Sequence, residues 1–221
     1  MTGSGGMFQN NVLVQAWLVL VLAISFGASL AFVQTRLSGL IAANKMNETL
    51  TQVPALVWGD DVVRKTADTQ HPMEIVPGTV SVKKGQRTNT YSIFRVSRGK
   101  LLSGWVVKSR GQGYADTIEA LIGMDPNAET ITGLFILEQK ETPGLGNKIT
   151  FPEWRKQFVG KKTDTPLVVL KGAAKELHAI DAITGATISS RSVAWIVNQT
   201  VSDIKGQLAQ GAVQLSTEER P

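Results

Sequence analysis

The chain contains no cysteine in its 221 residues. Disulfides, cysteine-ligated iron–sulfur clusters and thiolate metal sites are therefore excluded for this polypeptide. Histidine is nearly absent too. His71 and His178 are the only two, and a lone histidine reads as a surface or hydrogen-bonded residue rather than a ligand. No Ser/His/Asp set is visible, so the sequence nominates no catalytic residue and no metal ligand. No Gly-x-Gly-x-x-Gly follows a strand pattern, which argues against direct NAD binding. The formal charge is +5, but the basic residues are scattered. The densest groups are Lys83-Lys84 and Lys161-Lys162, and no basic run is interleaved with aromatics. Nucleic acid is not an expected partner. Hydrophobic content of 43% and charged content of 19% rule out wholesale disorder.

One long uncharged run is present. From Val12 to Val33 no residue carries a charge, and Gln15 is the only strongly polar one. About 20 apolar residues in a helix cross a hydrocarbon core of about 30 Å. Trp17 suits an interfacial position. Met1 to Asn11 holds no Lys or Arg, and the run is longer than a signal-peptide core, so the reading is a retained anchor. Arg36 and Lys45 follow the span and, by the positive-inside rule, favour a cytoplasmic C-terminal side.

Thr35 to Thr51 reads as helix or stalk, ended by Pro54. Val57 to Thr88 is mixed, punctuated by Gly59, Pro72, Pro77-Gly78 and Gly85. Alternation over Tyr91–Val96, a turn at Arg98-Gly99-Lys100 and a second run over Leu101–Lys108 predict a hairpin. Thr117–Met124 and Ile131–Gln139 form another apolar pair around Asp125-Pro126-Asn127. Gly133 hints at a bulge or a close approach. A short helix is predicted over Phe151–Val159 with Pro152 in its first turn, and a short buried strand over Pro166–Leu170. Ser189–Leu208 has helical spacing of Val193, Ile196, Val197, Val201 and Ile204. Leu215–Pro221 reads as a frayed tail. Hairpins with segregated helices define an α+β class, with antiparallel or mixed sheet.

Two short motifs carry chemistry. Asp181-Ala182-Ile183-Thr184-Gly185-Ala186-Thr187-Ile188-Ser189-Ser190 precedes the last helix. It can be a plain N-cap and tight turn. It can also be an anion site, because Gly185 and Ala186 leave the backbone uncrowded and helix-start N–H groups favour a phosphate. A threonine hydroxyl is a poor nucleophile without an activating base, so esterification there calls for a separate enzyme. Glu141-Thr142-Pro143-Gly144-Leu145-Gly146 fits a type II turn at Pro143-Gly144. It can be a strand-to-helix loop or a seat for a flat ligand.

Taken together and in this order, the motifs resemble the FMN-binding domain family. That family includes the G subunit of the Rnf ferredoxin–NAD oxidoreductase complex and the C subunit of the sodium-pumping NADH–quinone oxidoreductase. The resemblance implies one covalent FMN per chain, esterified through its phosphate to Thr187. It implies cofactor contacts at Thr184, Gly185, Ala186, Ile188 and Ser189, with Asp181 read by a dedicated flavin transferase. Glu141, Thr142, Leu145 and Gly146 match the loop beside the isoalloxazine ring, and Gly113-Tyr114 resembles a further pair. The implied organisation is a tail (1–11), a transmembrane helix (12–33), a stalk (34–56), an FMN-binding domain (57–210) and a C-terminal tail (211–221). The implied role is an electron relay, a subunit of an oxidoreductase complex that translocates ions, partnered by other membrane and redox subunits. The chain would sit in the inner membrane as a single-pass protein. Its FMN domain would face the periplasm, against the flanking charges. The length favours the Rnf type over the quinone-reductase type. A membrane-tethered binding module without redox function and a stand-alone flavoprotein reductase are the competing classes.

Overall fold

The computed structural model describes residues 12–59, 73–172 and 176–216. The chain divides into two compact units, residues 1–47 and 48–221. Within the first unit the apolar segment is helical and its side chains are exposed. Among the described residues this is the one helix long and apolar enough to cross a membrane.

That helix, α1, runs from Val12 to Trp58 without a break at Pro54. The expected end at Pro54 is therefore corrected, and the stalk is a continuation of the same helix. Proline removes one intrahelical hydrogen bond. Here the cost is offset by burial, since Val53, Pro54 and Leu56 are all buried in the second unit.

The second unit is built on a six-stranded antiparallel sheet whose strands, from edge to edge, are residues 131–138, 117–124, 101–112, 87–98, 73–84 and 214–215. Its strands are β1 (Met73–Lys84), β2 (Arg87–Arg98), β3 (Leu101–Gln112), β4 (Thr117–Met124), β5 (Ile131–Glu138) and β8 (Gln214–Leu215). Both predicted hairpins form. The mixed reading of 57–88 missed β1, because Pro77-Gly78 looked like a breaker. β1 meets a second neighbour only at Gly78 and Thr79, so Pro77 sits where a missing N–H is tolerated. Leu215 is paired rather than frayed: it joins β1 opposite Gly78. Residues 217–221 lie outside the described residues.

The sheet is covered on both faces, which explains its dense hydrophobic runs. Alternate residues divide between two cores. Ile93, Val107, Ile122 and Leu134 join one cluster with Val193, Ile196, Val197 and Ile204 of the last helix. Phe94, Val106 and Leu121 join another with Val53 and Leu56 of α1. On this second face Gly123 and Gly133 are register partners on β4 and β5. A Cβ on Gly123 would lie 2.5 Å from the Leu56 carbonyl oxygen, and one on Gly133 would lie 2.8 Å from Leu56 Cδ2. The close approach anticipated at Gly133 is real, and α1 is its partner.

After β5 come a 3-10 turn (Gly146–Thr150), the short helix α2 (Pro152–Arg155) and another 3-10 turn (Lys156–Phe158). β6 (Val168–Leu170) and β7 (Ala179–Asp181) pair in parallel. β6 was expected to be buried. Instead Val168 and Leu170 are exposed, and the buried residue is Leu167 just before it. Val169, on the opposite face of the strand, packs on the core, while Val168 and Leu170 turn away from it. α3 (Thr187–Ala209) closes the fold, and every residue of its predicted apolar stripe is buried.

Candidate functional site

The N-terminus of α3 opens into a cleft of about 660 Å³. That volume is within the usual range for cofactor sites. Its lining brings Thr184, Gly185, Ala186, Thr187, Ile188 and Ser189 face to face with Thr142, Leu145 and Gly146. Tyr114, Lys171, Gly172, Ala182 and Ile183 complete it. Nine of the eleven candidate cofactor residues named from the sequence thus share one cavity. Glu141 and Asp181 do not line it.

The turn before α3 is held from beneath. Ser190 is fully buried. Its hydroxyl accepts from the Ile183 N–H at 3.0 Å and donates to the Ala186 carbonyl at 3.0 Å. Gly185 adopts φ +82°, a conformation natural to glycine. The helix starts at Thr187, with Ala186 as its N-cap and no side-chain cap. The motif forms the tight turn, but no side chain supplies the N-cap. The first backbone N–H to find an intrahelical acceptor is that of Ser190, bonded to the Ala186 carbonyl at 3.1 Å. The N–H groups of Thr187, Ile188 and Ser189 are left for an anion at the positive end of the helix dipole. This fits a phosphate, and Lys171 adds a cation to the same cleft.

The opposing loop forms the turn its sequence predicts. Leu145 N–H donates to the Thr142 carbonyl at 3.1 Å, and Gly144 has φ +76°, as a type II turn requires. Leu145 leans toward the other motif, so a Cβ on Gly185 would lie 2.9 Å from its Cδ2.

Glu141 stands behind the cleft as a clamp. It is buried. Its Oε1 accepts from the backbone N–H groups of Tyr114 at 2.9 Å and Ala115 at 3.1 Å. Its Oε2 accepts from the Ser189 hydroxyl at 2.5 Å. One carboxylate thereby ties the Gly113–Ala115 turn, the Glu141–Gly146 loop and the first turn of α3. Gly113 and Gly146 make room for it, because a Cβ at either position would run into Glu141. Asp181 serves through its backbone, whose N–H bonds Gln157 Oε1 at 2.7 Å and whose carbonyl accepts from Trp154 Nε1 at 2.8 Å. Tyr114 is exposed and lines the cleft. Its Gly113-Tyr114 dipeptide was the sequence signal. Lys171-Gly172 lies in an irregular segment and gave none. His178 sits beside Glu176 at 3.3 Å, outside the cleft, and His71 lies outside the described residues.

Comparison with known proteins agrees with this geometry. The FMN-binding domain family model matches residues 113–202, which include the clamp and both motifs. The G subunit of the Na(+)-translocating ferredoxin:NAD(+) oxidoreductase complex of Acetobacterium woodii is 32% identical over 170 residues, covering 75% of this chain and 80% of that protein. The C subunit of the Na(+)-translocating NADH-quinone reductase of Vibrio anguillarum is 35% identical over 115 residues, covering 49% of this chain and 45% of that protein. The chain thus matches less than half the length of that relative. The crystal structure of Shewanella oneidensis NqrC has the same fold, with a TM-score of 0.61 at 22% identity, covering 76% of this chain and 99% of that one. The chain belongs to the family of FMN-binding domains that includes the Rnf G and NqrC subunits, and its cofactor is FMN.

Proposed function

We propose that this chain is a membrane-anchored electron relay of an ion-translocating redox complex, carrying its FMN as a phosphoester on Thr187. The observation that carries the reading is the placement of the Thr187 side chain. It belongs to the first residue of α3, lines the cleft, and sits beside N–H groups that no side chain caps.

FMN, when bound, supplies transfer of one or two electrons. The residues do the rest. The N–H groups of Thr187, Ile188 and Ser189, with Lys171, meet the phosphate charge. Leu145, Ile188 and Tyr114 offer apolar surface to a flat ring system. Gly185 and Gly146 keep the two loops thin enough to approach it. Glu141 positions both loops without entering the cleft. A covalent link prevents loss of the cofactor where no free FMN would replace it.

Attachment requires a flavin transferase, since a threonine hydroxyl needs activation to attack a phosphorus centre. The other partners are membrane and redox subunits. No independent substrate site is assigned to this chain. The match spans 80% of the Acetobacterium protein, against 71% of the quinone-reductase C subunit of Yersinia pestis and 45% of the Vibrio one, and this fuller span supports the Rnf type. In this reading the FMN domain lies on the periplasmic side of the inner membrane.

Intact mass tests the central bond. Protein made with its complex and transferase should weigh the bare chain plus one FMN less one water. Its flavin fluorescence should survive boiling in SDS and vanish in Thr187→Ala. Native protein of bare-chain mass and no colour overturns the proposal. Orientation is tested by Lys171→Cys, a single thiol in a cysteine-free chain. Labelling by an impermeant reagent on intact cells is the expected result. Labelling only after lysis overturns the placement.

A further inference from the structure

Beside the flavin cleft the surface continues along α3. Ile188 is shared between the cleft and a groove of about 330 Å³ lined by Gln112, Ile188, Arg191, Ser192 and Trp195. Gln112 and Trp195 are shared in turn with a larger hollow that reaches Gln199. Positions 188, 191, 195 and 199 lie three or four apart, so they form one stripe on the helix. That stripe faces outward. Ile188 and Trp195 are each 55% exposed, while Val193, Ile196 and Val197 turn into the core.

Trp195 is seated rather than loose. A Cβ on Gly111 of β3 would lie 2.5 Å from Ile196 Cγ1 and 3.2 Å from the Trp195 ring. The indole therefore rests against bare backbone. Its other face is exposed, and tryptophan is a frequent energetic anchor of interfaces. Arg191, between Ile188 and Trp195 on the stripe, is exposed and makes no ion pair or hydrogen bond among the described residues. Glu119, which shares the larger hollow with Trp195, is paired with Lys108 at 3.4 Å. An unanswered guanidinium between two exposed apolar residues asks for a carboxylate-bearing surface.

We propose that this stripe, Ile188–Arg191–Trp195 with Gln112 beside it, docks an acidic face of a redox subunit that exchanges electrons with the flavin cleft. The inference rests on the relay reading. Trp195 lies eight residues beyond Thr187, about 12 Å along the helix. A partner seated there has its own redox centre brought close to the cleft mouth, and electron transfer slows steeply with distance.

The test uses washed membranes containing the whole complex, with NADH as reductant and a water-soluble quinone analogue or ferricyanide as oxidant. The reference is the NADH oxidation lost in Thr187→Ala. Trp195→Ala and Arg191→Glu should each lower that oxidation at least tenfold while keeping wild-type SDS-stable flavin. Arg191→Lys should keep more than half of it, and Lys100→Glu, on the distant β2–β3 turn, all of it. Wild-type rates in both Trp195→Ala and Arg191→Glu, or loss of flavin from both, overturn the proposal. A photo-crosslinking p-benzoylphenylalanine in place of Trp195 gives a second measurement. A cross-link to an Asp/Glu-rich segment of a cofactor-bearing subunit supports the surface. Cross-links confined to lipid or to a second copy overturn it. Absence of any Thr187-dependent oxidation defeats the relay reading instead, and the cross-link then decides the surface alone.

Discussion

Glu141 and Ser189 are 48 positions apart in sequence, yet the serine hydroxyl donates to the buried carboxylate at 2.5 Å. This bond joins the two motifs that line the cleft. Because Oε1 also accepts two backbone N–H groups, Glu141→Ala strands three donors at once. We expect a loss of about 3–5 kcal/mol, the range for removing one partner from a buried charged network. Glu141→Gln keeps an acceptor for Tyr114 and Ala115 and a donor for Ser189, so the loss should be about 1 kcal/mol. Urea unfolding followed by tryptophan fluorescence measures both. Covalent flavin should fall sharply in the alanine variant and little in the glutamine one. Equal stability of the two variants would remove the clamp from the account.

The glycines of the second motif have different jobs, and alanine should tell them apart. At Gly146 a Cβ would lie 2.7 Å from Ser189 Oγ and 2.8 Å from Glu141 Cβ, so Gly146→Ala overpacks the clamp and should cost about 2–3 kcal/mol. At Gly144 nothing lies within 4 Å, and the demand is only φ +76°. Gly144→Ala should cost about 1–2 kcal/mol, the penalty for a left-handed alanine. A Gly144→Asn variant should recover part of that, because asparagine tolerates this conformation. Denaturant midpoints on the three proteins check the order.

Most of the sheet was legible because its strands alternate or run apolar between clear turns. Gly99 and Asp125-Pro126-Asn127 marked the two hairpin ends within a residue or two. β1 was hidden by Pro77, whose effect depends on whether a strand has a second neighbour, and neighbours are a tertiary matter. Pro54 misled for a related reason. The sequence shows the lost hydrogen bond but not the Leu56 carbonyl seated on Gly123. The cleft itself was readable from two motifs, since local turn chemistry dictates both loops. What could not be read was the division of labour inside it. The buried position of Glu141 follows from Gly113 and Gly146 approaching it from separate segments, and Lys171 lines the cleft from the end of β6, whose pairing with β7 is a tertiary matter.

Leu56 ties the end of α1 to the sheet, so its side chain should matter more than its place in a terminal turn implies. It is buried and packs over Gly133. Leu56→Ala should cost about 2–4 kcal/mol, the usual range for a buried leucine. Gly133→Val removes the seat from the other side and should cost at least as much. The double variant should cost less than the sum of the two, because both report on one contact. A chemical-denaturation double-mutant cycle on the detergent-purified chain gives the coupling.

Alkaline pH probes the far end of α3. The Tyr91 hydroxyl donates to Asp203 at 2.7 Å, and Lys84 reaches the same carboxylate at 2.5 Å. Burial, then the hydrogen bond and negative charge of Asp203, raise the phenol well above its ordinary 10.0. A phenol raised in the folded state stabilises the fold fully below its unfolded pKa. That contribution is lost as pH climbs from about 10 toward the folded value. At pH 7 Tyr91→Phe should lose about 1.5–3 kcal/mol, the range for a hydrogen bond to a charged group. The gap between Tyr91→Phe and wild type should then narrow as pH rises past about 10, since only the wild type has a proton to lose there. Unfolding free energies at pH 7, 9, 10 and 11 test this. A gap that stays constant to pH 11 would show that the Tyr91 proton is not held by the fold in this way.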